Sequence, residues 1–224
     1  MGNNCCLTNK KNHVNLIISV QYYVVYQISK LWYNNGVSYF WKYMMLFLEE
    51  DVIMITRTIM IFPGFENMDI INNIRKKYDP LANLVLPHIT LVFPFDSELT
   101  NEELYMYLKE CLSDIQPFKV ELEGFIKHEN KYGNCLLLNV VQGSDVIKSI
   151  HDKLYKGKLR KFDAGYDYVP HMTVGNVTSS ELLDKAFEDV KKCHDKFSTM
   201  VKKISVEMIG EHEESIIIIE HELS

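Results

Sequence analysis

The sequence predicts an α+β protein built as a bilobal, pseudo-symmetric duplication, two lobes facing each other across a cleft. Three observations predict it. The 224 residues are 47% hydrophobic and 24% charged, a globular composition long enough for one sizeable core or two tightly packed lobes. From residue 54 onward, the order strand, helix, motif strand, capped helix, strand occurs twice. The motif itself, Pro-His-x-Thr, stands in both repeats, with His88 and His171 lying 83 residues apart.

The elements follow in order. Residues 55–62 are rich in β-formers and stop at Pro63-Gly64, a turn signal. Residues 67–78 place Ile71, Ile74 and Tyr78 at helical spacing. Residues 88–95 read as a strand. Thr100-Asn-Glu-Glu103 has the spacing of a capping box and opens a helix with Leu104, Leu108, Cys111, Leu112 and Ile115 on one face. Residues 118–128 alternate as a strand. The second set begins with a strand over 135–141, followed by a helix over 144–159 with Ile147, Ile150 and Leu154 inward. A strand over 171–177 follows. Thr178-Ser-Ser-Glu181 reads as a second capping box, before Leu182, Leu183, Ala186, Phe187 and Val190. Residues 198–209 and 215–223 are closing strands, with the run 216–219 expected to be buried.

Residues 1–53 differ from the rest. They hold both tryptophans and six of the thirteen tyrosines, and their apolar stretches are irregular. The longest, 14–28, is interrupted by Asn15, Ser19, Gln21 and Gln27. It falls short of the roughly 20 predominantly apolar residues of a membrane-spanning helix. No small-residue cleavage site follows it, so it is not read as a signal peptide. Gly2 with Cys5 and Cys6 hints at acylation, but position six is Cys where Ser or Thr is usual. The abundance of Asn, Tyr, Ile and Lys suits an over-extended reading frame. Residues 1–53 are expected to be a poorly specified extension, and residues 54–224 the functional domain of two lobes.

The formal charge of −6 argues against a grip on long duplex nucleic acid, which normally leaves a basic footprint. A nucleic-acid substrate would therefore be a chain end or a small nucleotide. Five cysteines, odd in number and without a CxxC pair, fit a reducing cytoplasm. No membrane association is expected.

Residues i and i+2 of a strand point to one face. Around the first motif this puts His88, Thr90 and Val92 together; around the second, His171, Thr173 and Gly175, with the glycine expected to leave room for a ligand. A single His-x-Thr on a strand is ordinarily a surface or satisfied-core pair. Two copies at equivalent places in a repeat point to chemistry. Phosphodiester hydrolysis needs two proton transfers on opposite sides of phosphorus. An unperturbed histidine pKa of about 6.5 lets one imidazole act as base and the other, protonated, as acid. Threonine hydroxyls can donate to non-bridging oxygens as charge builds on them.

These segments, Leu-Pro-His88-Ile-Thr90-Leu and Val-Pro-His171-Met-Thr173-Val, resemble the signature of the two-histidine (2H) phosphoesterase superfamily, in its bacterial 2′-5′ RNA ligase-like branch. The similarity covers roughly residues 54–224 and includes the opening strand and Asp79-Pro80 before the first motif. It implies antiparallel sheets lining the cleft, with helices packed outside. It also implies hydrolysis of cyclic phosphodiesters, commonly a 2′,3′-cyclic phosphate at an RNA end, without a cofactor; the chemistry of paired histidines requires no metal, and the chain is expected to be a monomer. The carried-over roles are general acid and base for His88 and His171, and phosphate holding for Thr90 and Thr173. Two alternatives use the same residues: a non-catalytic phosphate- or nucleotide-binding module, and a reversible 2′-5′ RNA ligase.

Other candidates carry less. Lys156, Lys158, Arg160 and Lys161 form a basic cluster that either clamps a phosphorylated substrate or is a solvated charge run. Tyr166 and Tyr168 either stack on a base or simply pack. Phe93 and Phe95 pack or line the cleft rim. His128, His151, His194, His212 and His221 lack metal-ligand spacing.

Overall fold

A computed structural model describes residues 55–130, 133–210 and 213–224 of the chain. The expectations for residues 1–53, and the domain's expected start at Met54, lie outside the described residues. Among the described residues, β1 (Ile55–Ile61) leads into α1 (Met68–Tyr78), β2 (Ile89–Ser97), α2 (Asn101–Cys111) and β3 (Phe118–Asn130). The chain continues through β4 (Gly133–Gln142), α3 (Ser144–Lys156), a 3-10 turn (Arg160–Phe162) and β5 (His171–Val177). It ends with α4 (Ser180–Val190), β6 (Phe197–Val201), β7 (Lys203–Ile209) and β8 (Ser215–Glu222).

The strands form two four-stranded antiparallel sheets, ordered β2-β1-β7-β8 and β5-β4-β3-β6. The predicted α+β duplication is present, but interlaced. β3, the last strand of the first repeat, pairs with β4 and β6 in the second sheet, while β7 and β8 return to complete the first. Residues 198–209, expected as one strand, are therefore two: β6 and β7 flank Lys202 and belong to different sheets. Period-two alternation reports which side of a strand is buried, not where the chain changes sheets.

Apolar residues of both sheets share one continuous core, including Ile59, Ile61 and Val92 from the first and Leu138, Met172 and Val174 from the second. Burying each such aliphatic side chain contributes about 1.5–3 kcal/mol relative to exposure. The helices cross over: α1 packs against β5 and α3 against β2. Each repeat's first helix thus covers the other repeat's motif strand.

Helix ends follow local chemistry. At α2 the capping box forms as read: Thr100 Oγ1 accepts the Glu103 N–H at 3.1 Å, and Glu103 Oε2 accepts the Thr100 N–H at 2.9 Å. At α4 the expected box at Thr178 does not form. Ser179 is the cap and accepts the Leu182 N–H at 3.3 Å. With the helix starting one residue later, Glu181 sits one place short of the box position. α3 ends at Lys156, earlier than expected, because Gly157 follows; a side chain there would meet the Tyr107 hydroxyl at 2.8 Å. β8 is an edge strand, and Ile216 and Ile217 are 37% and 42% exposed. The apolar run 216–219 is thus half in solvent rather than buried, with Ile219 alone in the core.

Candidate active site

Both motif strands, β2 and β5, are edge strands of their sheets, and they touch each other. Each carries one extra residue just after its threonine. In β2, Thr90 lies opposite Met60 and Val92 opposite Ile59, so Leu91 is bulged. In β5, Thr173 lies opposite Leu137 and Gly175 opposite Leu136, so Val174 is bulged. A bulge bends the strand and re-aims the side chains beside it. Here it breaks alternation at the same place twice: Leu91 and Val92 are both buried, as are Val174 and Gly175. Before the bulges the pattern holds. Ile89 and Met172 are in the core, while His88, Thr90, His171 and Thr173 are partly exposed.

The bulges correct two readings. Val92 and Gly175 do not share the face of the motif side chains. A Cβ at position 175 would sit 3.0 Å from Tyr78 Cβ and 3.2 Å from Leu136 Cβ. The space left by the missing side chain admits α1, not a ligand.

The two imidazoles are held alike. His88 Nδ1 lies 2.8 Å from the Leu86 carbonyl, and His171 Nδ1 lies 2.7 Å from the Val169 carbonyl. A carbonyl oxygen only accepts, so in each ring Nδ1 carries the hydrogen and Nε2 is left for chemistry. The edge of Phe62 backs the His88 ring, with centroids 6.0 Å apart.

Burial pushes both imidazoles below the ordinary histidine range, against the opposing pull of the carbonyl bonds. On His88 the Arg75 charge pushes further down, Asp79 pulls up, and the charge of His171 pushes down. On His171 the charge of His128 pushes down. Arg75 and Asp79 form a buried pair at the end of α1, Nε to Oδ2 at 2.8 Å, and Asp79 Oδ1 accepts the Leu81 N–H at 3.0 Å.

The other sequence candidates disperse. Lys156 and Arg160 line a cavity of about 380 Å³ together with Asp152 and Asp163. Lys158 and Lys161 line a separate one of about 300 Å³ with Glu98 and Glu103. The basic cluster is thus divided, each half balanced by two carboxylates, and neither cavity is lined by a motif residue. Tyr168 is not free to stack on a base: its ring lies on that of His151, centroids 3.8 Å apart and planes within 3°. Tyr166 is 54% exposed. Phe95 is buried against the Phe162 ring, and Phe93 is exposed. Among the described residues no group of three or more His, Cys, Asp or Glu side chains is arranged to hold a metal ion, and no helix is long and apolar enough to cross a membrane.

Sequence reasoning passed over His151, weighed only as a metal ligand, and the Arg75–Asp79 pair. The latter carried a signal, opposite charges four residues apart at a helix end.

The family model described as the 2′-5′ RNA ligase superfamily matches residues 63–211. A candidate phosphoesterase of Geobacillus thermodenitrificans (strain NG80-2) is 30% identical over 147 residues, covering 65% of this chain and 83% of that protein. One of Bacillus licheniformis is 30% identical over 124 residues, covering 55% and 72%. Among solved structures, E. coli LigT complexed with 3′-AMP superposes with a TM-score of 0.52 at 13% identity, covering 77% of this chain and 99% of that one. A crystal structure described only as a phosphoesterase gives 0.51 at 14%, covering 77% and 99%. At such identities these superpositions speak for the fold alone. With the family model spanning more than half the chain, and with paired His-x-Thr strands meeting edge to edge, the protein belongs to the 2′-5′ RNA ligase superfamily of two-histidine phosphoesterases.

Proposed function

We propose that the chain is a metal-independent phosphodiesterase that opens cyclic phosphodiesters, with a 2′,3′-cyclic phosphate on an RNA end or a small nucleotide as its substrate. The observation that carries this reading is the pair of Nδ1-anchored imidazoles, each followed by a threonine, on two edge strands that touch. In the proposed step, neutral Nε2 of one ring takes a proton from water as its oxygen attacks phosphorus. The Nε2–H of the other, protonated ring passes its proton to the leaving ribose oxygen as the P–O bond breaks. Thr90 and Thr173 donate to the non-bridging oxygens. All four side chains come from one chain, so a monomer suffices. That LigT, of the same fold, was solved with 3′-AMP supports a nucleotide as the ligand of this chain. With the 5′-hydroxyl of a second RNA end attacking in place of water and the ribose 3′ oxygen leaving, the same step joins 2′-5′ ends, the activity that the superfamily's description names.

The test is incubation with 2′,3′-cyclic mononucleotides and with an oligonucleotide ending in a cyclic phosphate, with the regiochemistry of the product read out. His88→Ala and His171→Ala should each lower kcat by about 10²–10⁴-fold while the protein stays folded, and chelators should not change turnover. Full activity in either folded variant refutes the mechanism. Binding of the nucleotide without turnover by the wild-type chain points instead to a phosphate-binding module.

A further inference from the structure

β2 ends its sheet, so one side of its backbone lacks a neighbouring strand. Unpaired strand edges are ordinarily left to water or covered. Here three side chains occupy that edge at the bulge. Tyr168 Oη donates to the Thr90 carbonyl at 2.6 Å, and His151 Nδ1 to the Leu91 carbonyl at 2.7 Å. The Phe93 N–H donates to Tyr155 Oη at 3.1 Å. The three rings support one another: His151 stacks on Tyr168 and meets Tyr155 edge-on at 4.9 Å. His151 and Tyr155 are buried at 7% and 5% exposure. Both project from α3, and Tyr168 lies three residues before His171.

Tyr168 has a second connection. The residue after it, Val169, supplies the carbonyl that holds the His171 ring. One short stretch of backbone therefore grips the second motif's imidazole through Val169 and the first motif's threonine through the Tyr168 hydroxyl. We propose that Tyr168, braced by His151, is a positioning residue that sets the spacing between the two His-x-Thr motifs. The proposal rests on the phosphodiesterase reading and adds to it the part that fixes the distance between the groups on either side of phosphorus. Burial also pushes the Tyr168 phenol upward, so it stays a donor throughout the working range. Displacing catalytic groups by about 1 Å can cost on the order of 10²-fold in rate, and the loss falls on kcat when the interaction is made mainly in the transition state.

Tyr168→Phe removes the hydroxyl and keeps the stack. Its kcat for a 2′,3′-cyclic nucleotide should fall about 10–100-fold, with KM within about threefold. In a Thr90→Val background the same change should cost clearly less, because the hydroxyl it aims is gone. His151→Gln, whose amide can still donate to Leu91, should retain more activity than His151→Leu. An unchanged kcat in Tyr168→Phe, an equal loss in both backgrounds, or a loss matched by an unfolded fraction overturns the proposal. If the wild-type chain turns over no cyclic nucleotide, the functional reading fails separately. The positioning claim is then read from inorganic phosphate, monitored through the His88 and His171 ring signals by NMR. His88 and His171 ring signals that shift in Tyr168→Phe, with phosphate affinity within about threefold of wild type, uphold it; ring signals unchanged from wild type overturn it.

Discussion

Gly175→Ala tests the bulge in β5 by way of packing. The added methyl would lie 3.0 Å from Tyr78 Cβ, 3.2 Å from Leu136 Cβ and 3.4 Å from the Tyr78 carbonyl oxygen, whereas carbon atoms pack best at roughly 3.5–4.0 Å. None of these atoms is the free end of a flexible side chain. Relief requires α1 to move off β5, and overpacking of this kind costs about 1–3 kcal/mol. For a domain of this size, each kcal/mol lowers Tm by roughly 2–4 °C, so the variant should melt several degrees below wild type. Thermal and urea unfolding measure it, with Gly64→Ala as control because nothing lies within 4 Å of a Cβ there. The opposite geometry makes the opposite forecast. Were Gly175 turned into the cleft as plain alternation has it, alanine would leave Tm unchanged and obstruct ligand instead. A Gly175→Ala protein as stable as wild type but unable to bind phosphate would refute the bulge and the role of α1 behind it.

Four further outcomes follow from the site and its surroundings. Because burial lowers both imidazoles, the pH profile of kcat/KM should be bell-shaped with its optimum on the acid side of the usual histidine pKa of about 6.5; an optimum well above that value contradicts the described burial. The same lowering means that the unfolded chain binds more protons there, so these histidines cost stability as pH falls below about 6.5 and cost nothing above it; His88→Gln should lessen acid lability in urea titrations at pH 5 without changing stability at pH 8. Asp79→Asn leaves Arg75 buried without its anion and should destabilise by about 3–5 kcal/mol, with any remaining activity showing a still lower basic pKa because the carboxylate that raises His88 is gone. Finally, Thr100→Ala should cost about 0.5–2 kcal/mol through the lost cap of α2 and leave kcat untouched.

What could be read from the sequence was whatever repeats at short range. The motif pairs, the α2 capping box and the inward faces of α1 and α3 each depend on residues within a turn or two of one another, and periodicity exposes them. The histidines' place on strands that alternate up to the threonine was readable for the same reason. The bulges at Leu91 and Val174 were not, since an extra residue in a strand is defined by the partner strand's register. Gly175 was misread on that account. Tyr168 and His151 were present as candidates but given other work, because their role appears only when α3 from one repeat is laid along β2 from the other. The single cap residue at α4 slipped by one place because Thr178 and Ser179 offer the same hydroxyl and only the helix start chooses between them.

The crossing of strands between sheets has a consequence for how the protein comes into being. β1, the immediate support of the first motif strand, finds its other neighbour in β7, close to the end of the described chain. A ribosome-bound fragment carrying both motifs but stopping after α4 lacks half of the first sheet, β7 and β8, and the edge strand β6 of the second. Such long-range pairing closes slowly compared with local contacts. The first sheet is therefore expected to close only when the β7–β8 hairpin has emerged, rather than lobe by lobe as synthesis proceeds.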